Sequence, residues 1–223
     1  MDGTILPHAS SAGTGLKTCV CDAHRHVTRL VVVTGGPGAG KTAVLEFAKR
    51  RFCKHVRVLP EAATMLFSGG FPRDDDDDVR RCAQSAIYHV QRDLERAIVV
   101  TGKDSVALCD RGTLDGLAYW PGDPASFYER VLTTPEEELA RYSAVIHLRT
   151  APAAHYNHEN VMRLEDAARA RALDEKILET WSAHPNRHVI ESTEDFLEKA
   201  KRALDVVEGE LPACCRHANE VKS

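Results

Sequence analysis

Residues Gly35 to Thr42 read GGPGAGKT, which fits the phosphate-loop pattern GxxxxGK[ST]. The flanking sequence supplies the setting that pattern needs. Leu30 to Val33 is a continuous apolar, mostly β-branched run, as in a strand buried on both faces, and helical spacing follows from about Lys41 to Cys53. Glycine lets successive backbone amides turn inward, and the positive end of the following helix favours an anion there. Gly35, Gly36, Pro37, Gly38, Ala39 and Gly40 are therefore expected to wrap the phosphates of ATP or GTP. Lys41 should reach the β and γ phosphates, and Thr42 should offer its hydroxyl to Mg²⁺, which hard oxygen ligands suit.

Working outward, Val56 to Leu59 reads as a second strand and Glu61 to Ser68 as a short helix ended by Gly69 and Gly70. The acidic run Asp74 to Asp78 is expected to be a solvated loop, followed by a long amphipathic helix over Val79 to Thr101. Ser105 to Cys109 and Ser143 to Leu148 are further apolar strands, and His188 to Glu191 is the last. Thr134, Pro135 and the glutamates after them form a helix start, with N-cap, N1 proline and acidic first turn. Helices are expected over Glu165 to Ser182 and Thr193 to Glu208. Strands alternating with helices imply an α/β fold, a parallel sheet covered on both faces.

Asp110 closes the strand VALCD and so falls at the carboxyl edge of the sheet, where open α/β folds bind ligands. A carboxylate there can orient magnesium, so Thr42 and Asp110 are the expected metal ligands. Arg111 follows, where many motor-type and transporter-type ATPases carry a water-activating glutamate. An aspartate–arginine pair instead suits holding substrate or donor phosphate.

The chain has 223 residues, is 43% hydrophobic and 28% charged, and carries a formal charge of −4, so neither nucleic acid nor an anionic membrane is an expected partner. No apolar stretch approaches bilayer length and no secretory signal opens the chain, so a cytoplasmic location is expected. Residues 1–27, rich in small polar types, read as a flexible leader, 28–211 as the domain, and 212–223 as a flexible tail. Of seven cysteines, Cys53, Cys82 and Cys109 read as reduced core residues within helix or strand. Cys19 and Cys21 beside His24 and His26, and Cys214 and Cys215 beside His217, are ligand-type residues without a recognised zinc spacing.

GGPGAGKT, then PEAAT at Pro60 to Thr64 with SGG following, then CDRGTLDG at Cys109 to Gly116, together resemble the NadR-type AAA-domain P-loop family. That family joins nicotinamide riboside kinase-like domains with a photoreceptor translocation-defect GTP-binding protein. The resemblance runs from about Thr28 to Leu211 and includes RLEDAARARALDEKILETWSAHP at Arg163 to Pro185. It implies a three-layer P-loop sandwich like that of nucleoside and nucleotide kinases, with a five-stranded parallel sheet and the first strand central. It also implies that Glu61 faces an acceptor hydroxyl as general base, although a glutamate favoured at a helix start would occupy the same place. Arg163, in a segment where related kinases place a lid, would stabilise the transferring phosphoryl group.

Gln84, Tyr88 and Gln91 recur at i, i+4 and i+7 on the long helix and share a face, which could read a ring or could be a solvated stripe. Two functions fit these residues. One is a kinase moving the γ-phosphoryl group of ATP or GTP to the hydroxyl of a nucleoside-like small molecule. The other is a nucleotide-dependent regulator acting through a protein partner.

Overall fold

The computed structural model describes residues 25–150, 161–193 and 195–216. Five strands, β1 (Arg29–Thr34), β2 (Val56–Leu59), β3 (Val106–Asp110), β4 (Ala144–Leu148) and β5 (Arg187–Ile190), form one sheet. Their order is β2-β3-β1-β4-β5 and every pairing is parallel. The expected five-stranded parallel sheet with a central first strand is therefore what the chain forms.

Side chains alternate across a strand, so β1 feeds two cores. Val31 and Val33 join α1 (Lys41–Arg51) and α7 (Phe196–Glu210) through Val44, Leu45, Ala203 and Val207. Leu30 and Val32 face the other way, against Ile177 and Trp181 at the end of α6 (Val161–Thr180). Val31, Val32 and Val33 have no exposed surface. Burying each contributes up to about 1.5–3 kcal/mol, which is why this run tolerates no polar residue.

The remaining helices are α2 (Ala62–Ser68), α3 (Asp77–Thr101), α4 (Pro124–Val131), α5 (Pro135–Leu139) and α8 (Ala213–Arg216), with a 3₁₀ helix over Thr113–Tyr119. Helix α5 has the capping box expected at Thr134, its side chain accepting from Glu137 N while Glu137 bonds back to Thr134 N. The acidic run is a correction. Asp76 is the N-cap of α3, accepting from Asp78 N and Val79 N, and Asp77 and Asp78 lie in the first turn. Carboxylates stabilise the positive end of a helix, so the second half of the run starts the helix, while Asp74 and Asp75 lie exposed in the loop ahead of it, as expected.

Helix α6 begins at Val161, four residues before the expected start. Residues 213–216, read as part of a tail, form α8, where Cys215 is buried. Cys53 and Cys109 are buried as expected, but Cys82, expected in the core, lies on the exposed side of α3. Among the described residues no helix is long and apolar enough to cross a membrane.

Candidate active site

The phosphate loop leaves β1 with Gly35 at φ +134°, a conformation open to glycine, and a Cβ there would lie 2.1 Å from the Leu148 carbonyl oxygen. Gly40, at φ +92°, is the N-cap of α1. The first helical residue is Lys41, whose Nζ donates to the Gly35 and Gly36 carbonyls at 3.0 and 3.1 Å. Burial, then the nearby Arg111 charge, lowers its pKa to about 8. A desolvated ammonium held among carbonyl dipoles keeps a charge ready for an anion. Thr42, the next residue, is exposed.

Two side chains that the sequence reading missed brace this loop. Asp174, on α6, accepts from Gly36 N at 2.8 Å, from His147 Nε2 at 2.9 Å and from Thr150 N at 3.3 Å. Burial alone would raise its pKa, but the bonds from His147 and the two backbone amides overcome that and hold it below the ordinary aspartate value. Lys199, on α7, donates to the Ala39 carbonyl at 2.9 Å and the Arg149 carbonyl at 2.6 Å. Its contact with Ala39 spans 160 residues of chain. No local pattern announces a pairing of that range.

Asp110 ends β3 beside the loop, with its Oδ1 buried and without a hydrogen-bond partner. Burial, then the Glu61 charge, raises its pKa to about 6. Arg111 adopts φ 73°, uncommon outside glycine. Its guanidinium thereby reaches Glu61 Oε1 at 2.5 Å, Asp115 Oδ2 at 3.2 Å and the Gly35 carbonyl at 3.4 Å. Asp115, quoted within CDRGTLDG but assigned no part there, also accepts from Thr34 Oγ1 at 2.5 Å and Trp181 Nε1 at 2.6 Å. It locks Arg111 to β1 and to the turn that follows α6.

Glu61 is the N-cap of α2, yet its side chain makes no capping bond; its Oε2 accepts from Thr64 Oγ1 at 2.5 Å. Burial pushes its carboxyl up, but the Thr64 hydrogen bond and the Arg111 and Lys41 charges outweigh that and keep it below the ordinary range. Glu61, Arg111 and Asp115 line a cavity of about 330 Å³, together with residues of α2, α3 and the 3₁₀ helix. Pockets of this size hold small organic ligands.

Gln84 and Gln91 both line this cavity, Gln91 also donating to Glu95 Oε1 at 2.7 Å. Tyr88 is not among the lining residues. Its hydroxyl donates to the buried Glu138 at 2.7 Å, and its ring packs edge-on against Phe127. Glu138 in turn accepts from Thr113 Oγ1 at 2.6 Å, so Tyr88 helps anchor the segment after Arg111. Ile87 and Tyr119 line the cavity, with the Arg111 guanidinium 5.9 Å from the Tyr119 ring centre. Arg163 falls within α6, and its side chain lies outside the described residues.

A family profile described as AAA domain matches residues 30–199. The chain belongs to that family. Among solved structures, the AAA-domain chain is similar to NadR protein in complex with NR, at TM-score 0.62 and 16% identity over 84% of this chain and 53% of that one. NadR in complex with NAD and AMP-PNP aligns at TM-score 0.57 and 15% identity, over 90% and 52%. Thymidylate kinase from Candida albicans aligns at 0.55 and 10%, over 83% and 92%. The chain thus spans about half the length of the NadR chains it resembles. No curated protein matches it in sequence. At these identities the likeness establishes the fold, that of P-loop nucleotide kinases.

Proposed function

We propose that this AAA-domain chain is a magnesium-dependent phosphotransferase that moves the γ-phosphoryl group of ATP or GTP to a hydroxyl of a nucleoside-like small molecule. One observation carries the reading: Arg111 touches the phosphate loop at the Gly35 carbonyl and also Glu61, and both side chains line the 330 Å³ cavity. An acceptor in that cavity would lie beside the phosphates. The kinase-like fold, and the NR and AMP-PNP present in the NadR structures, are consistent with it.

The donor set suits magnesium. The orphaned Asp110 Oδ1 and the Thr42 hydroxyl are hard oxygens at the loop, and a bound magnesium ion would offset phosphate charge. Lys41 and Arg111 add two cations on the same side. Glu61, ionised at neutral pH, has a spare lone pair on each oxygen for the acceptor hydroxyl. In the transfer the bond from γ-phosphorus to the bridging oxygen breaks, a bond to the acceptor oxygen forms, and the hydroxyl proton passes to Glu61. Such chemistry is largely positioning and charge stabilisation.

The test is a screen of nucleosides and related ribosides for ADP or GDP release. A true acceptor should raise release by about 10²-fold or more over water, the usual worth of a positioned base. Release that no acceptor accelerates would overturn the kinase reading in favour of a nucleotide-dependent regulator.

A further inference from the structure

The edge of the sheet opposite the phosphate loop gathers residues with metal-ligand chemistry from three separate segments. His26 precedes β1, His55 lies between α1 and β2, and Cys215 is on α8. One ligand atom from each lies within 4.8 Å of the others. Cys215 Sγ is 3.7 Å from His55 Nδ1, and the His26 and His55 ring centres are 4.7 Å apart. A tetrahedral zinc ion with bonds of about 2.3 Å to sulfur and about 2.1 Å to nitrogen sets those two atoms about 3.6 Å apart.

The backbone around the three is fixed. His26 N donates to the Gly102 carbonyl at 2.7 Å, the His55 carbonyl accepts from Ser105 N at 2.7 Å, and Cys215 N donates to the Pro212 carbonyl at 2.9 Å. Cys215 is 1% exposed and His55 8%. We propose that His26, His55 and Cys215 form a zinc site that fastens the segments before β1 and after α7 to the floor of the sheet. A fourth position is left for water. The site lies one strand length, about 20 Å, from the phosphate loop, so its part is structural.

The experiment uses the full chain, loaded with zinc or cobalt and freed of excess metal. The expected result is one ion per chain, a thiolate-to-cobalt charge-transfer band, and a melting temperature that falls by about 5–10 °C on chelation. Cys215→Ser should abolish the band and the chelation effect. His26→Asn and His55→Asn should weaken zinc by more than the roughly 10- to 100-fold cost of losing an outer-shell partner. The double change of Cys19 and Cys21 to serine should leave stoichiometry unchanged. Far-ultraviolet dichroism of each metal-free variant reports folding. If the unaltered chain takes up no stoichiometric metal, the His55–Cys215 contact is an ordinary thiol–imidazole hydrogen bond and the proposal fails. It fails equally if a folded Cys215→Ser variant keeps the band, or if the Cys19 and Cys21 double variant loses the ion.

Discussion

Arg111 Nε stands 2.5 Å from Glu61 Oε1, so the residue after β3 and the second residue after β2 act as one charged unit in the wall of the cavity. The carboxylate is held ionised by its surroundings, and the arginine is held in place by Asp115. A group so arranged can receive a proton without being able to drift.

Glu61→Gln keeps size and most hydrogen bonding but removes the charge that takes the proton. Single-turnover transfer to the acceptor should fall about 10²- to 10⁴-fold while nucleotide affinity holds. If Glu61 served only to start α2, the change would cost at most about 1 kcal/mol of stability and leave transfer intact.

Lys41→Ala should abolish tight magnesium–nucleotide binding with no loss of fold, as calorimetry and dichroism on one sample will read. In the unaltered protein the ammonium titrates near pH 8. The bound phosphates need it charged, so a ligand-free site must take up a proton above that pH. Nucleotide affinity should therefore weaken by up to about tenfold per pH unit above 8, with proton uptake visible in buffers of differing ionisation heat.

Asp174→Ala strands the Gly36 and Thr150 amides in a buried place and should cost about 2–4 kcal/mol in urea unfolding, with weaker nucleotide binding. Its pKa is depressed in the folded state. The stability it contributes is thus present above the ordinary aspartate value and is lost as pH falls through the lower folded one. Asp174→Asn should flatten that acid limb.

Gly35→Ala combines a left-handed φ with a Cβ 2.1 Å from a backbone oxygen, which cannot yield as a side chain could. A loss of about 2–4 kcal/mol, read by urea midpoint, is expected. A loss under about 0.5 kcal/mol would mean that the loop relaxes freely.

The strands and the phosphate loop were legible because their signals are local: apolar runs, glycine spacing and a following helix. Asp110 and Arg111 were legible for the same reason, since strand ends mark the ligand edge of such a sheet. Asp115, Asp174 and Lys199 were not, because their contacts with β1 and the phosphate loop span 81 to 160 residues and each reads locally as an ordinary charged helix residue. Tyr88 misled through periodicity, which gives a shared face but not how far along it a cavity extends. The cysteine and histidine spacings at the chain ends omitted His55, which only the fold brings beside Cys215.

The two braces on the phosphate loop have opposite charge and a common anchor. Asp174 ties Gly36 to Thr150, and Lys199 ties Ala39 to Arg149, so the loop is fastened at two points to the exit of β4. A loop ordered only on binding would subtract about 1–2 kcal/mol of affinity for each residue that stiffens. Here both braces are made within the folded chain, so an arriving polyphosphate would meet a loop already held at these two points.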